Sequence, residues 1–156
     1  IANFDGEHGN DFFVSNDGDF NHYWLSQPVS KVAGDKGAGD RFEIIEAAVA
    51  RGCSVGKGGN SQACMGIASG DFDRNGTLDL HVTNFLNEPA NLFMQTRSGF
   101  FSDEALQYRL TEPSFDVLGF GTQAADFDND GWLDLVVLNG HVFDMKDPAI
   151  PYRMPP

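Results

Sequence analysis

The sequence is short of basic residues, of cysteines and of long apolar runs. It carries 10 Lys and Arg against 23 Asp and Glu, which gives a formal net charge of −13 over 156 residues. Such an acidic excess argues against nucleic acid and anionic membranes as partners and favours cations. No segment approaches the ~20 consecutive apolar residues that a membrane-spanning helix needs. The two cysteines have no second pair, which argues against a zinc site.

Catalytic motifs are also missing. The sequence has no Gly-x-Ser-x-Gly elbow and no His-Glu-x-x-His motif, and its four His residues are scattered. We therefore do not expect an enzyme. What the chain does contain is glycine, with 18 residues, and phenylalanine, with 14 residues. Together with a hydrophobic fraction of 41%, these predict one packed domain with many turns and short strands.

Three acidic segments of the chain align with one another without gaps. We call them loop 1 (residues 3–11), loop 2 (71–79) and loop 3 (126–134). Each carries oxygen-bearing side chains at loop positions 1, 3, 5 and 9, with Phe at position 2, and each is followed by a matching run that predicts a strand. The loops divide the chain into repeats of approximately 1–62, 63–117 and 118–156, of which the last is truncated.

The spacing of these oxygens predicts calcium sites. Ca²⁺ takes 6–8 oxygen ligands in flexible geometry, and alternate side chains of a curled loop, joined by the position-7 carbonyl, form such a cage. Glycine at position 6 permits the sharp turn with a positive φ. Mg²⁺ demands stricter octahedral geometry, and the absence of Cys from the loops argues against Zn²⁺. The candidate ligands are Asp71, Asp73, Asn75, Thr77 and Asp79 in loop 2, Asp126, Asp128, Asp130, Trp132 and Asp134 in loop 3, and Asn3, Asp5, Glu7, Gly9 and Asp11 in loop 1.

Loop 1 departs from the pattern, because His8 stands where the other two loops have Gly76 and Gly131. We therefore expect two calcium sites, in loops 2 and 3, with loop 1 as a third candidate. The alternative is an acidic turn without metal, since Asp, Asn and Gly are common turn residues. An EF-hand is rejected, because position 12 is Val in all three repeats instead of Glu and the flanks predict strands.

The strand pattern predicts an all-β fold built from four-stranded antiparallel propeller blades. A helical turn is predicted over 42–50. Because 156 residues hold fewer than three full repeats, we expect a single partial propeller over 1–156. It is either a piece of a longer protein or a chain whose copies associate through open sheet edges. The predicted strands are 12–15, 21–25, 65–70, 80–84, 91–95, 100–103, 122–125 and 135–138.

The loops resemble those of the FG-GAP/VCBS repeat family, whose blades build the integrin α-subunit propeller. The specific matches are the Asp-x-Asp-x-Asn/Asp-Gly-x-x-Asp pattern of loops 2 and 3 and the preceding Phe120-Gly121. Residues 63–68, 82–85 and 139–142 are similar to bacterial relatives of cartilage acidic protein. The resemblance implies a seven-bladed calcium-binding propeller that is secreted or in the cell envelope. It implies a structural, interaction or adhesion module with an unknown protein or glycan as its partner.

Two further expectations depend on this compartment and on the propeller surface. Cys53 and Cys64 flank a Gly-rich loop, and in an oxidising compartment we expect them to form a disulfide that contributes ~2–3 kcal/mol. The alternative for the cysteines is two independent buried thiols. One alternative function is a carbohydrate-binding module, with aromatic and acidic groups on one face of the propeller. The other, which the missing catalytic motifs disfavour, is part of a propeller enzyme.

Overall fold

The computed structural model describes residues 1–7, 9–29, 41–140 and 142. In these residues the fold is all-β, as the sequence predicts, and its two helices are each a single short turn. None of the helices described has the length and apolar character needed to cross a bilayer. The elements are β1 (Phe12–Val14), β2 (His22–Pro28), β3 (Phe42–Glu46), α1 (Ala48–Arg51), β4 (Cys64–Gly70), β5 (Asp79–Asn84), β6 (Asn91–Arg97), β7 (Phe100–Asp103), α2 (Thr111–Phe115), β8 (Leu118–Ala125) and β9 (Asp134–Gly140).

Consecutive strands pair antiparallel and form three sheets. The strand orders are β1-β2-β3, β4-β5-β6-β7 and β8-β9. Ala2 pairs with Asp11 beside β1, so the first sheet has the start of a strand where the second sheet has β4. Loops 2 and 3 join β4 to β5 and β8 to β9, and loop 1 lies between Ala2 and β1. The prediction that the acidic loops join strand to strand is confirmed for loops 2 and 3.

Each strand predicted from the sequence is present, with bounds that differ by a few residues. The helix predicted over 42–50 is wrong in its first half, because Phe42–Glu46 is strand β3 and helix α1 begins only at Ala48. Phe42, Ile45 and Val49 do recur at helical spacing. Pairing with β2, in which Ile45 lies opposite Leu25, overrides that local pattern.

The main core lies between the first two sheets. The rings of Phe4, Tyr23 and Phe101 meet edge to face, with centroids 5.5 to 6.4 Å apart. Phe4 is the position-2 residue of loop 1, so this core fixes the loop on the sheets. Phe72, at the same position of loop 2, packs against a smaller cluster that contains Leu92 and Met94. The position-2 aromatic residue therefore anchors these two loops.

The second and third sheets approach each other closely. A Cβ atom on Gly66 would meet the carbonyl oxygen of Phe120, and one on Gly119 would lie 2.9 Å from the Cβ of Thr83. The Thr83 hydroxyl donates to the Phe120 carbonyl at 2.7 Å, which links β5 to β8 across the interface. Nδ1 of the buried His81 lies 2.9 Å from the Thr122 hydroxyl. Glycine is needed at both positions, because Gly66 lies against the backbone of β8 and Gly119 against the side chain of Thr83.

The disulfide predicted between Cys53 and Cys64 is not formed, because both residues are free, buried thiols. The Cys64 thiol points to the Asn21 side-chain oxygen at 3.4 Å. Burial raises the pKa of Cys53 to about 12 and that of Cys64 to about 11. Both thiols are therefore protonated and unreactive at neutral pH.

We expect Gly66→Ala to lower the free energy of unfolding by ~2 kcal/mol or more, because the added methyl group meets a carbonyl that cannot move without shifting β8. Gly58→Ala is the matched control, since its Cβ would have only the Asn60 side-chain nitrogen within 4 Å, at 3.9 Å. Urea unfolding of the two variants measures the difference. Equal stability would show that the two sheets separate freely at this point.

Candidate metal centre

Loop 2 curls around the carboxylate at its first position. Asp71 accepts a hydrogen bond from the Asn75 amide at 3.0 Å and another from the Gly76 amide at 2.9 Å. The Asp73 carboxylate also accepts from the Asn75 amide, at 3.1 Å. Two carboxylates are thereby turned toward the inside of one tight loop. Gly76 has a φ of 89°, which confirms the positive φ predicted for position 6.

Loop 3 repeats this frame bond for bond. Asp126 accepts from the Asp130 amide at 3.1 Å and from the Gly131 amide at 2.9 Å. Asp128 also accepts from the Asp130 amide, at 3.1 Å. Gly131 has a φ of 85°, close to that of its counterpart in loop 2. Two segments that lie 55 positions apart therefore adopt one geometry, which their shared residue spacing dictates.

The position-9 carboxylate of loop 2 is buried and braces the sheet. One oxygen of Asp79 accepts from the Phe72 amide at 2.9 Å, within the loop. The other accepts from the Gln95 amide at 2.8 Å, on strand β6. Asp79 is fully buried, so these bonds replace its hydration. This residue ties the start of loop 2 to the third strand of its sheet.

The same brace recurs in the first repeat but is incomplete in the third. Asp11 accepts from the Phe4 amide at 2.9 Å and from the Ser26 amide on β2 at 3.0 Å. Asp134 accepts from the Phe127 amide at 3.0 Å. Among the described residues no third strand lies beside β9, so the second bond has no counterpart there.

Two groups of three carboxylates are close enough to hold a metal ion. In each group, one oxygen per residue lies within 4.8 Å of the others. The pKa of Asp79 is raised to about 6, chiefly by burial; its two backbone hydrogen bonds lower the pKa, and the nearby carboxylates of Asp73 and Asp71 add to the rise. The groups are Asp71, Asp73 and Asp79 in loop 2, and Asp126, Asp128 and Asp130 in loop 3.

The other predicted ligands of loops 2 and 3 lie in the same turns but have additional partners. The Asn75 side-chain oxygen accepts from the Thr77 amide at 2.8 Å, and the Asp130 carboxylate accepts from the Trp132 amide at 2.7 Å. Asp134 lies outside the loop 3 group, although it makes the same bond to the position-2 amide as Asp79 does in loop 2. Three carboxylates therefore converge in each loop.

Loop 1 follows a different path. Among its described residues the positive φ angles fall at Gly6 and Gly9, positions 4 and 7, whereas loops 2 and 3 have theirs at positions 4 and 6. The Glu7 amide donates to Asp5 at 3.0 Å, and the Asn3 side chain donates to the Glu7 carbonyl at 3.0 Å. Its carboxylates, which include the buried Asp11, form no converging group among the residues described. His8 itself lies outside the described residues.

Two residues that the sequence did not single out connect the loops. The buried Gln95 side chain donates to the Phe4 carbonyl of loop 1 at 2.9 Å, while its backbone amide bonds to Asp79 of loop 2. The Arg74 guanidinium of loop 2 lies 3.6 Å from the centroid of the Trp132 ring of loop 3. Arg74 is one of only 10 basic residues, and its place inside an acidic loop is the one signal that pointed to it.

One cavity lies away from the acidic loops. It has a volume of about 530 Å³, and its lining includes Gln62, Glu88, Asn91 and Asp103. No aromatic ring lines it, so it lacks the flat apolar platform against which a sugar ring stacks. The cavity therefore gives no support to the carbohydrate-binding alternative.

Comparison with known proteins assigns the chain to no family. No protein-family model matches the chain, and no curated protein matches it. The interpretation of the loops depends on their own residues and contacts.

We expect Asp79→Asn to lower the free energy of unfolding by ~2–3 kcal/mol even in chelator. The Asn side chain has only one oxygen, so its NH₂ group faces one of the two buried backbone N–H groups that Asp79 accepts from. Asp134→Asn is the matched control at the same loop position. It has one such bond and is only half-buried, so its loss should be ~1 kcal/mol or less. Urea unfolding in chelator measures both losses. Similar losses in the two variants would contradict the bracing role of Asp79.

Proposed function

We propose that loops 2 and 3 bind Ca²⁺ and that the chain is a calcium-binding segment of a β-propeller, of the FG-GAP/VCBS type that its loops resemble. The observation that carries the proposal is the convergence of three carboxylates in each of two loops with one hydrogen-bond frame. A turn that only reverses the chain does not need such a concentration of charge.

Electrostatics favours a divalent cation in these loops. Carboxylates within 4.8 Å of one another repel, and the net charge of −13 adds to that repulsion. Two Ca²⁺ ions bring the formal charge from −13 to −9. The donors are oxygen atoms on a flexible, irregular loop, which suits Ca²⁺ better than Mg²⁺ or Zn²⁺.

The ion is proposed to have an architectural role. Each loop joins the first strand of a sheet to the second, so a filled loop holds these two strands in register. Extracellular calcium modules bind at about 10⁻⁴–10⁻³ M. At ~1 mM Ca²⁺, a site of ~10⁻⁴ M contributes ~1.4 kcal/mol to stability. Two such sites are a large part of the stability of a domain this size.

The packing of the sheets supports the propeller part of the proposal. In each of the three sheets neighbouring strands follow one another in the chain, and an acidic loop leads into β1, β5 and β9. The first packs on the second through the aromatic core, and the second packs on the third through Gly66 and Gly119. Successive sheets stacked face to face in chain order are the arrangement of propeller blades.

The role that fits these features is a structural or protein-interaction module in a secreted or cell-envelope protein. Millimolar Ca²⁺ is available outside cells, where sites of this affinity fill. The sequence has none of the catalytic motifs sought, and the acidic loops use their carboxylates to hold their own turns.

Thermal melts and titration calorimetry test the calcium proposal. We expect ~1 mM Ca²⁺ to raise the melting temperature by several degrees over chelator, with two ions bound per chain. The Asp128→Asn variant should bind one ion, because it loses a ligand charge but keeps the oxygen that the Asp130 amide needs. Asp19→Asn, an exposed carboxylate outside the loops, is the control and should bind two. An unchanged melting temperature in the parent chain would defeat the proposal.

Calcium stabilisation should also depend on pH. Burial raises the pKa of Asp79 to about 6 from its ordinary value of 3.8. A carboxyl with a raised pKa stabilises the fold while protonated, and this contribution is fully present below 3.8 and lost as the pH rises through about 6. Ca²⁺ replaces that proton. The calcium-induced rise in melting temperature should therefore be larger at about pH 7.5 than at about pH 5. The same rise at both values would contradict Asp79 as a ligand.

A further inference from the structure

Two contacts connect the turn of loop 2 to the turn of loop 3. The Arg74 guanidinium, at position 4 of loop 2, lies 3.6 Å from the centroid of the Trp132 ring. Its Nη2 atom would lie 3.1 Å from a Cβ atom on Gly131, so the guanidinium also lies against the backbone of loop 3. The Leu133 side chain packs on Gly70, where a Cβ atom would meet it at 2.5 Å. The end of loop 3 is thus held by two residues that flank the first carboxylates of loop 2.

The position of the Arg74 side chain depends on the hydrogen-bond frame of loop 2. Its backbone has a φ of 60°, a left-handed conformation that is uncommon for a residue other than glycine. The frame imposes this conformation, because the next amide, of Asn75, donates to both Asp71 and Asp73. If loop 2 opens, this residue relaxes to a negative φ and its guanidinium leaves the Trp132 ring.

On the other side of the contact, the backbone of residues 131 and 132 holds the carboxylates of loop 3. The Gly131 amide donates to Asp126 at 2.9 Å, and the Trp132 amide donates to Asp130 at 2.7 Å. The Trp132 carbonyl is also the position-7 ligand that the spacing predicts. A contact that fixes these two residues therefore favours the arrangement in which the three carboxylates of loop 3 converge.

We propose that the contact between Arg74 and Trp132 couples the two calcium sites, so that an ion in either loop raises the affinity of the other. This inference rests on the proposed calcium binding. An ion offsets the repulsion between carboxylates that lie within 4.8 Å of one another, and so favours the loop frame that holds it. The contact forms only when both loops have that frame. Its free energy is therefore a coupling between the two sites, and the coupling is reciprocal.

The strength of the contact sets the size of the coupling. A cation–π pair at an exposed site corresponds to about a two- to fivefold change in affinity. Arg74 is exposed and Trp132 is 49% exposed, so the pair belongs to this class. The positive charges of the guanidinium and of the two ions repel one another and act against the coupling. Solvent and salt screen this repulsion in exposed loops, whereas the contact itself is direct.

The chain restricts this coupling to loops 2 and 3. Position 4 of loop 1 is Gly6, which has no side chain to reach a neighbouring loop. Loop 1 also has no converging group of carboxylates in the part of the chain that the structure describes. We therefore expect no calcium-dependent coupling between loop 1 and loop 2.

Titration calorimetry of three chains measures the coupling. Asp128→Asn disables loop 3 and Asp73→Asn disables loop 2, and both substitutions keep the oxygen that the loop amide needs. The parent chain has both sites. We expect the product of its two association constants to exceed the product of the two single-site constants by about two- to fivefold.

Two substitutions remove the contact from opposite sides. Arg74→Gln removes the guanidinium, and Trp132→Leu removes the ring but keeps the backbone carbonyl. In each background the ratio of the two products should fall to one or below, because only the repulsion between the ions remains. Arg109→Gln is the matched control and should keep the parent ratio, since Arg109 is also exposed and has a φ of 59°. Circular dichroism of all the variants establishes that the fold is retained.

Tryptophan emission gives a second readout. In a Trp24→Phe background, Trp132 is the only tryptophan of the chain. When Asp128→Asn is added, Ca²⁺ fills loop 2 alone. It should still change the Trp132 emission, because loop 2 then holds the guanidinium on the ring. The change should disappear when Arg74→Gln is added.

Two results would overturn the inference and leave the calcium proposal intact. The first is a parent chain that binds two ions with a ratio of one or below. The second is a parent ratio that Arg74→Gln and Arg109→Gln both leave unchanged, since the coupling then runs through another contact. A parent chain that gives no heat of binding is distinct from both, and it would overturn the calcium proposal together with this inference.

Discussion

The structure depends on the carboxylates that end loops 1 and 2, each of which bonds in two directions. Asp79 ties the start of its loop to β6, and Asp11 does the same toward β2. Both are buried, so removing either bond exposes a backbone amide to an environment without water. This side chain ties the loop to the sheet, while the curl of loop 2 comes from the amides that bond to Asp71 and Asp73. The proposed calcium site is thus built on a brace that exists without the ion.

Most of the fold could be predicted from local residue patterns. The strand patterns and the glycine turns of loops 2 and 3 act within a few residues, and each was predicted. Strand β3 was not, because its apolar spacing also fits a helix and only its pairing with β2 decides between them. Helix α2 was not predicted either, because its 5 residues are too few to show a helical repeat.

The candidate site likewise has features that the sequence predicts and features that it does not. The carboxylates that converge in loops 2 and 3 follow from their spacing. The second role of Asp79 does not, because its partner Gln95 comes 16 positions later and on another strand. Loop 1 diverges because its glycines fall at different positions, so its carboxylates hold the backbone. The cysteine pair was misjudged from sequence proximity, whereas the fold sets Cys64 against Asn21.

The stacking of Arg74 on Trp132 connects loop 2 directly to loop 3. The guanidinium belongs to a residue in a left-handed backbone conformation inside one turn, and the indole follows the glycine of the other. Opening either turn removes a contact from both. The second and third repeats are therefore linked through their acidic loops as well as through their packed sheets. A change in the conformation of one loop should disturb the other.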